Sequence, residues 1–209
     1  MKDNSGFTLI ELLAVITIMG ILMMVAIPTV SRTIENSRKD TFIDMAKRYC
    51  TSVATMWAAD NLQCGSYVSS AVPTGIYIVK VDTSSNSHPV LLEQGGKSPW
   101  GNRDIKGLIY IGVYFLDGAR QVKFYPVLVD GVHGLNVRSD GQPMHIKSFD
   151  ELVRGDLTMS GLSYDLLLDE HDEFRSRVVG FDLNGDGDLD DVIDGFSEIT
   201  DNSVLCVER

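Results

Sequence analysis

The chain has 209 residues, 44% hydrophobic and 22% charged, enough apolar material for one or two domains with a packed core and too much for a disordered chain. Lys and Arg number 18 against 29 Asp and Glu, a formal net charge of −11, which argues against a nucleic-acid backbone as the main partner. The imbalance is local: Asp150 to Arg209 carry 17 acids and 4 bases, a net of −13, while everything before them sums to +2.

Phe7 to Val30 is a run of 24 residues whose only charge is Glu11. At about 1.5 Å per residue such a helix just crosses a ~30 Å hydrocarbon core, so the segment predicts a membrane-spanning helix. A secretory signal peptide would have an apolar run of only about 7–15 residues and end at a small-residue cleavage site, whereas this run is longer and ends at Ile27-Pro28. Flanking charge does not orient it, because Lys2 and Asp3 cancel before it and Arg32, Arg38 and Lys39 follow it.

Within this segment, Ser5-Gly6-Phe7-Thr8-Leu9-Ile10-Glu11-Leu12-Leu13 sets a small residue before an aromatic and an acid four residues further on. It resembles the processing site of type IV pilins and type II secretion pseudopilins, over about the first thirty residues. The resemblance implies that Met1 to Gly6 is a leader, removed at Gly6-Phe7 by a membrane aspartyl prepilin peptidase that also methylates the new amine of Phe7. The chain would be a substrate there and no catalyst. An ionised carboxylate in hydrocarbon costs at least a few kcal/mol unless it is paired. Glu11 therefore calls for a cation, and the Phe7 amine of a neighbouring subunit would supply one only in an assembly; snorkelling of the carboxylate to the membrane edge is the alternative.

Apolar residues continue past the membrane segment at helical spacing, with Val30, Ile34, Phe42, Met45, Ala46, Tyr49, Val53, Met56 and Trp57 mainly at steps of three or four. A stem helix over 7–61 follows, with 7–30 as its membrane and assembly segment. Gly20 and Pro28 weaken its interior, and a kink is expected near Pro28.

Beyond Asn61 the period changes to alternation. Ile76 to Val81, Leu108 to Phe115, Val122 to Val129 and Arg177 to Asp182 read as strands, with turn signals at Asp117-Gly118, Asp130-Gly131 and Asp140-Gly141 that suit antiparallel hairpins. Ser148 and Glu151 have capping-box spacing and suggest a short helix over Ser148 to Val153. Residues 62–209 then form one globular head, and a sheet laid against the apolar face of the stem gives the α+β, pilin-like architecture: a long N-terminal α-helix packed on an antiparallel β-sheet. Ser98-Pro99-Trp100-Gly101-Asn102 resembles the Pro-Trp-Gly-Asn turn of many pilin-like heads, the major pseudopilin of type II secretion among them. In that turn Trp100 would serve as a hydrophobic pin under the first sheet strand.

The loop 182–194 holds six carboxylates and no base within thirteen residues. Oxygen ligands from Asp182, Asn184, Asp186, the Asp188 carbonyl and Asp190, turned at Gly187, match the first nine positions of an EF-hand-like loop. Position twelve is Ile193, so Asp191 or Asp194 would have to complete the shell. It also resembles the aspartate-rich calcium loop of major-pseudopilin heads. Ca²⁺ is the expected cofactor, with a solvated acidic turn as the alternative.

The cysteines number three. Pairing Cys50 with Cys64 is strained, because ten helical residues to Asp60 climb ~15 Å and four extended residues return only ~14 Å. Cys64 with Cys206 is the preferred pair, tying the end of the stem to the C-terminal strand, and Cys50 reads as a small core residue. His88, His133, His145 and His171 show no metal-ligand spacing, and no nucleophile or phosphate-loop motif points to an enzyme.

The reading favoured is a prepilin that becomes a structural subunit of a type IV pilus-like extracellular filament. Its partners would be other copies of itself and minor pilins, the prepilin peptidase, a membrane assembly platform and a cytoplasmic ATPase. It would reside in the cytoplasmic membrane, single-pass, before assembly and on the cell surface afterwards, with no nucleic-acid partner. The alternatives are a pseudopilin of a secretion or DNA-uptake machine, and a monomeric calcium-binding surface module on a plain membrane anchor.

Overall fold

The computed structural model describes residues 8–84, 96–116, 118–139, 146–164 and 204–208. The chain divides into two compact units, Met1–Arg38 and Lys39–Arg209. One helix, α1 (Leu9–Ala58, 50 residues), supplies the described secondary structure of the first unit and opens the second. The expected strand over Arg177 to Asp182 and the Asp140-Gly141 turn lie outside the described residues.

In its first unit α1 is long and apolar enough to cross a membrane, and none of that apolar window is buried within the chain. Its hydroxyls are satisfied along the helix: Thr17 Oγ1 donates to the Leu13 carbonyl at 3.0 Å and Thr29 Oγ1 to that of Val25 at 3.1 Å. Threonine can thus lie in hydrocarbon without an unmet donor. The helix also runs unbroken through Gly20 and Pro28. Proline removes a single backbone donor, and the ladder on either side carries the segment across the gap.

In the second unit, Phe42, Ile43, Met45, Ala46, Tyr49, Cys50, Val53 and Trp57 of α1 are buried. The helix ends where the apolar pattern stops. Asp60 takes a left-handed conformation (φ 54°), Asn61 N donates to the Met56 carbonyl at 2.9 Å and Asp60 N to that of Trp57 at 3.2 Å. These are the two bonds of a Schellman cap, with aspartate where glycine is usual. The Asp60 carboxylate is used as well: it accepts Ser69 Oγ at 2.8 Å and Ser70 N at 2.7 Å, and these bonds hold its carboxyl below the usual range.

The sheet comprises β1 (Leu62–Cys64), β2 (Tyr67–Val68), β3 (Gly75–Asp82), β4 (Lys106–Leu116), β5 (Ala119–Val129), β6 (Gly134–Leu135), β7 (Leu157–Thr158) and β8 (Val204–Glu208). Their order is β2-β1-β8-β3-β4-β5-β6-β7, antiparallel throughout except for the β3–β8 pair. This is an α+β fold, one long N-terminal helix packed on a mostly antiparallel sheet. The three middle strands are those read from alternation, each a little longer than its apolar run. Leu116 pairs with Ala119 where β4 turns into β5, with Gly118 at φ 78°; Asp117 lies outside the described residues. One sheet face, with Tyr77, Val79, Ile109, Ile111, Phe124 and Leu128, joins the buried side of α1 in a single core. The other face carries a second cluster around Ile78, Leu108, Tyr110, Tyr125 and Val127, to which Val137, Ile146 and Leu162 contribute.

The short helix expected over Ser148 to Val153 does not form. Glu151 N does bond the Ser148 carbonyl at 3.0 Å, but as an isolated turn, and Phe149 N donates instead to the Phe124 carbonyl of β5 at 3.0 Å. The Phe149 ring meets that of Phe124 edge-on at 6.3 Å. Tertiary pairing with the sheet outweighs a weak local signal, and the first helical turn after it is a 3₁₀ turn at Arg154–Asp156.

Candidate functional site

The N-terminal site begins outside the described residues, which exclude Gly6 and Phe7. Glu11 is described, in the first turn of α1. Thr8, immediately before the helix, donates to Glu11 Oε2 twice, from its backbone N at 2.8 Å and from Oγ1 at 2.7 Å, and Glu11 N returns to Thr8 Oγ1 at 3.4 Å. This is a reciprocal capping box, so the carboxylate closes the start of its own helix. Around it Leu9, Ile10, Leu12 and Leu13 are all more than half exposed, and the large apolar side chains as far as Val30 are about half exposed or more. An anchored acid thus sits in a cylinder of uncovered hydrocarbon. Thr8 was not singled out in the sequence. Its signal, Thr-x-x-Glu, lies inside an apolar run where the acid alone draws notice.

Cys64 and Cys206 form a disulfide between residues 142 apart, on directly paired positions of β1 and β8. Cys50 is a free, buried cysteine on the core side of α1, and burial first, then the Asp150 charge, pushes its thiol well above the usual range. The acidic loop, with Asp182, Asn184, Asp186, Asp188, Asp190, Asp191 and Asp194, lies outside the described residues. Among the described residues no cluster of His, Cys, Asp and Glu could hold a metal ion.

A polar cluster that the sequence did not reveal joins the Ser98–Asn102 turn to the β5–β6 turn. Asp130 is fully buried, and Ser98 and His133 are 3% and 8% exposed. Asp130 Oδ1 accepts His133 N at 2.7 Å and Val132 N at 3.0 Å, and Oδ2 accepts Ser98 Oγ and lies 3.0 Å from His133 Nδ1. Burial pushes the Asp130 carboxyl up, yet the bonds from Ser98, His133 and Val132 outweigh it and the net shift is down. An ionised carboxylate only accepts, so His133 Nδ1 carries the proton. The His133 ring stacks on Trp100 at 4.1 Å, and Trp100 tilts against Phe42 of α1 at 5.9 Å. Trp100 is therefore a pin between the helix and the β5–β6 turn, in the same buried core as Val79 and Val81 of β3. Ser98 and His133 both bond the same carboxylate, which ties the two turns together.

The geometry at the N-terminus agrees with the comparison of the chain with protein families. The family model described as the prokaryotic N-terminal methylation motif matches residues 1–27. The match covers the N-terminal segment alone, the stretch that type IV prepilins and pseudopilins carry. A motif of this type implies processing by prepilin peptidase and assembly with other pilins. No curated protein and no solved structure matches the chain.

Proposed function

We propose that the protein is a structural subunit of a type IV pilus-like filament, cleaved at Gly6-Phe7 and assembled through the exposed half of α1. The observation that carries the reading is the prepilin motif at residues 1–27 running into a helix whose apolar segment up to Val30 is uncovered and whose one acid in that segment, Glu11, is held at its start. In the membrane the Thr8 cap satisfies part of the Glu11 carboxylate, and in a filament the methylated Phe7 amine of a neighbour completes it. The head stays outside the cytoplasm. Intact-mass analysis of membrane or fibre material tests the first step, because the mature chain should begin at Phe7 with a methylated amine; a chain that retains Met1 or is cut after Ile27 would overturn it. Glu11→Ala tests the second. Processing and head folding should be kept while recovery in sheared fibres falls at least about tenfold, the scale of an unpaired charge in hydrocarbon.

A second reading, a pseudopilin of a secretion machine, is favoured by the Ser98–Asn102 turn and the acidic loop. Immunogold labelling with an antibody to the head separates the two, because a pilus subunit labels long surface fibres at natural expression and a pseudopilin does not. Under either reading the loop 182–194 is proposed to bind Ca²⁺. At a concentration tenfold above Kd the linked stabilisation is about 1.4 kcal/mol. Melting curves with calcium, magnesium and chelator test this, with Asp186→Ala expected to erase the calcium increment, and identical curves would leave a solvated turn.

A further inference from the structure

We propose that the Cys64–Cys206 disulfide is a redox latch for the C-terminal strand: oxidised, it holds β8 in the slot between β1 and β3, and reduced, it lets β8 leave while the rest of the sheet stays folded. The proposal rests on the reading above that the head lies outside the cytoplasm, and not on what the filament does. It stands on where β8 lies in the sheet and on how little else among the described strands pairs with it.

In the order β2-β1-β8-β3 the five-residue strand β8 lies between the β1–β2 hairpin and β3. Among the described residues the hairpin's backbone ladder reaches the main sheet through β8, because β1 pairs with β2 and β8. The seam itself is short. Two residue pairs join β8 to β3, Tyr77 with Val204 and Ile78 with Leu205, and three join it to β1. The β4–β5 seam, by contrast, runs for eleven pairs, from Lys106 with Val129 to Leu116 with Ala119.

Side chains add little to the β8 seam. Leu205 is 40% exposed and Val207 47%, and Glu208 is exposed, while Cys206 is fully buried. Cys206 therefore carries the buried contacts of residues 205–208, and it does so as half of a covalent bond. Opening that bond leaves β8 to short backbone pairing and half-covered side chains, the profile of a low-stability unit within a folded domain. It would also leave the facing edges of β1 and β3 without a strand between them.

The chemistry is thiol–disulfide exchange with an extracytoplasmic oxidoreductase in its disulfide form. One thiolate of the pair attacks that disulfide and the second resolves the mixed disulfide. The two thiols of Cys64 and Cys206 give up two protons and two electrons, and the oxidoreductase leaves as a dithiol; opening is the same exchange in reverse, with an oxidoreductase in its dithiol form supplying the two electrons and two protons. Cys50 belongs to the same buried core cluster as the pair. All three are fully buried, so exchange at the pair waits on a transient opening of β8 that exposes Cys206, while Cys50 stays on the core side of α1.

Hydrogen exchange read by mass spectrometry on the full chain in detergent tests the latch. The oxidised protein is compared with the same protein in dithiothreitol and with Cys206→Ser. In both reduced arms, exchange at residues 205–207 and 62–64 should rise at least about tenfold, while that of β4 and β5 stays within about twofold. Re-oxidation with glutathione disulfide should restore the dithiothreitol arm. Two results would overturn the proposal: unchanged protection at 205–207 once the bond is open, or protection lost equally in β4 and β5, which would make the disulfide a staple of the whole head. If Cys206→Ser does not accumulate as folded protein, the dithiothreitol arm decides by the same two criteria.

Discussion

Residues Leu9–Ile34 and Phe42–Trp57 belong to one helix with opposite fates. In the first stretch Leu9 is 84% exposed, Ile21 67% and Met24 77%; in the second Phe42, Ala46, Tyr49 and Val53 are fully buried. Helix propensity and apolar content do not separate them. The difference lies in the arrangement, since the first stretch is apolar all round and the second carries an apolar stripe with Arg48, Thr51 and Thr55 on its outer side. A stripe needs one sheet to cover it, whereas an apolar cylinder needs a surrounding medium, whether lipid or other helices. The same rules that build the head therefore leave the N-terminal half dependent on something outside the chain.

Truncating the helix on either side of that divide gives the largest contrast. Phe42→Ala should destabilise the head by about 3–5 kcal/mol, because a fully buried ring against Trp100 leaves a cavity. Ile16→Ala, at a position 55% exposed, should leave the unfolding midpoint of the head where it was. Chemical denaturation of both variants in detergent reads the difference, and equal losses would show that the exposed half is part of the head's cooperative unit.

Next in size is the buried carboxylate. Asp130→Ala strips the acceptor from Ser98 Oγ, His133 N and Val132 N, and should cost roughly 2–4 kcal/mol. The pH dependence has a definite sign. The folded pKa of Asp130 is depressed, so its stabilisation is fully present above the unfolded value near about 4 and is lost as the pH falls through the folded value. Asp130→Asn, which cannot ionise, should flatten the head's acid-denaturation curve in that window; a curve as steep as wild type would assign the acid sensitivity to other groups.

A smaller steric effect is expected at Gly107. It pairs with Leu128, and a Cβ there would stand 2.0 Å from the Val127 carbonyl oxygen. Gly107→Ala should therefore cost about 1–3 kcal/mol by forcing β4 and β5 apart, readable as a lower thermal midpoint and weaker amide protection on both strands. Unchanged protection would mean that the strands can shift without loss.

How far the sequence carried the fold follows from the length of each signal. Fifty helical residues and three long alternating strands announce themselves, and so does Asp117-Gly118 between two of those strands. The two- and three-residue strands β1, β2, β6 and β7 are too short for any period to register. Their place is set by partners: β1 and β2 by each other and by β8, β6 and β7 by the edge of β5. Ser148 and Glu151 misled because a capping box is a local preference, and the Phe149–Phe124 pairing is not local. The Asp130 cluster was hidden for a related reason: Asp130-Gly131 reads fully as a turn, and nothing in it points to Ser98, 32 residues earlier. At the N-terminus the motif drew attention to Glu11, while the partner that the structure gives it, Thr8, lay within the same nine residues.

The smallest effect expected is at the ion pair next to the divide in α1. Asp40 receives a two-point contact from Arg154, Nε to Oδ1 at 2.7 Å and Nη2 to Oδ2 at 2.5 Å, the fork geometry that favours arginine over lysine. The guanidinium holds the Asp40 carboxyl below its usual range and raises the Arg154 pKa in return. Both side chains are about half exposed, 50% and 46%, so water and salt screen most of the attraction. Arg154→Lys, which keeps the charge and loses the fork, and Arg154→Ala, which loses both, should melt indistinguishably from wild type at physiological salt. At low ionic strength Arg154→Ala should fall below Arg154→Lys, and only above the pH at which Asp40 ionises. A full-sized loss at high salt would instead mean that Arg154 acts through the packing of its stem on α1.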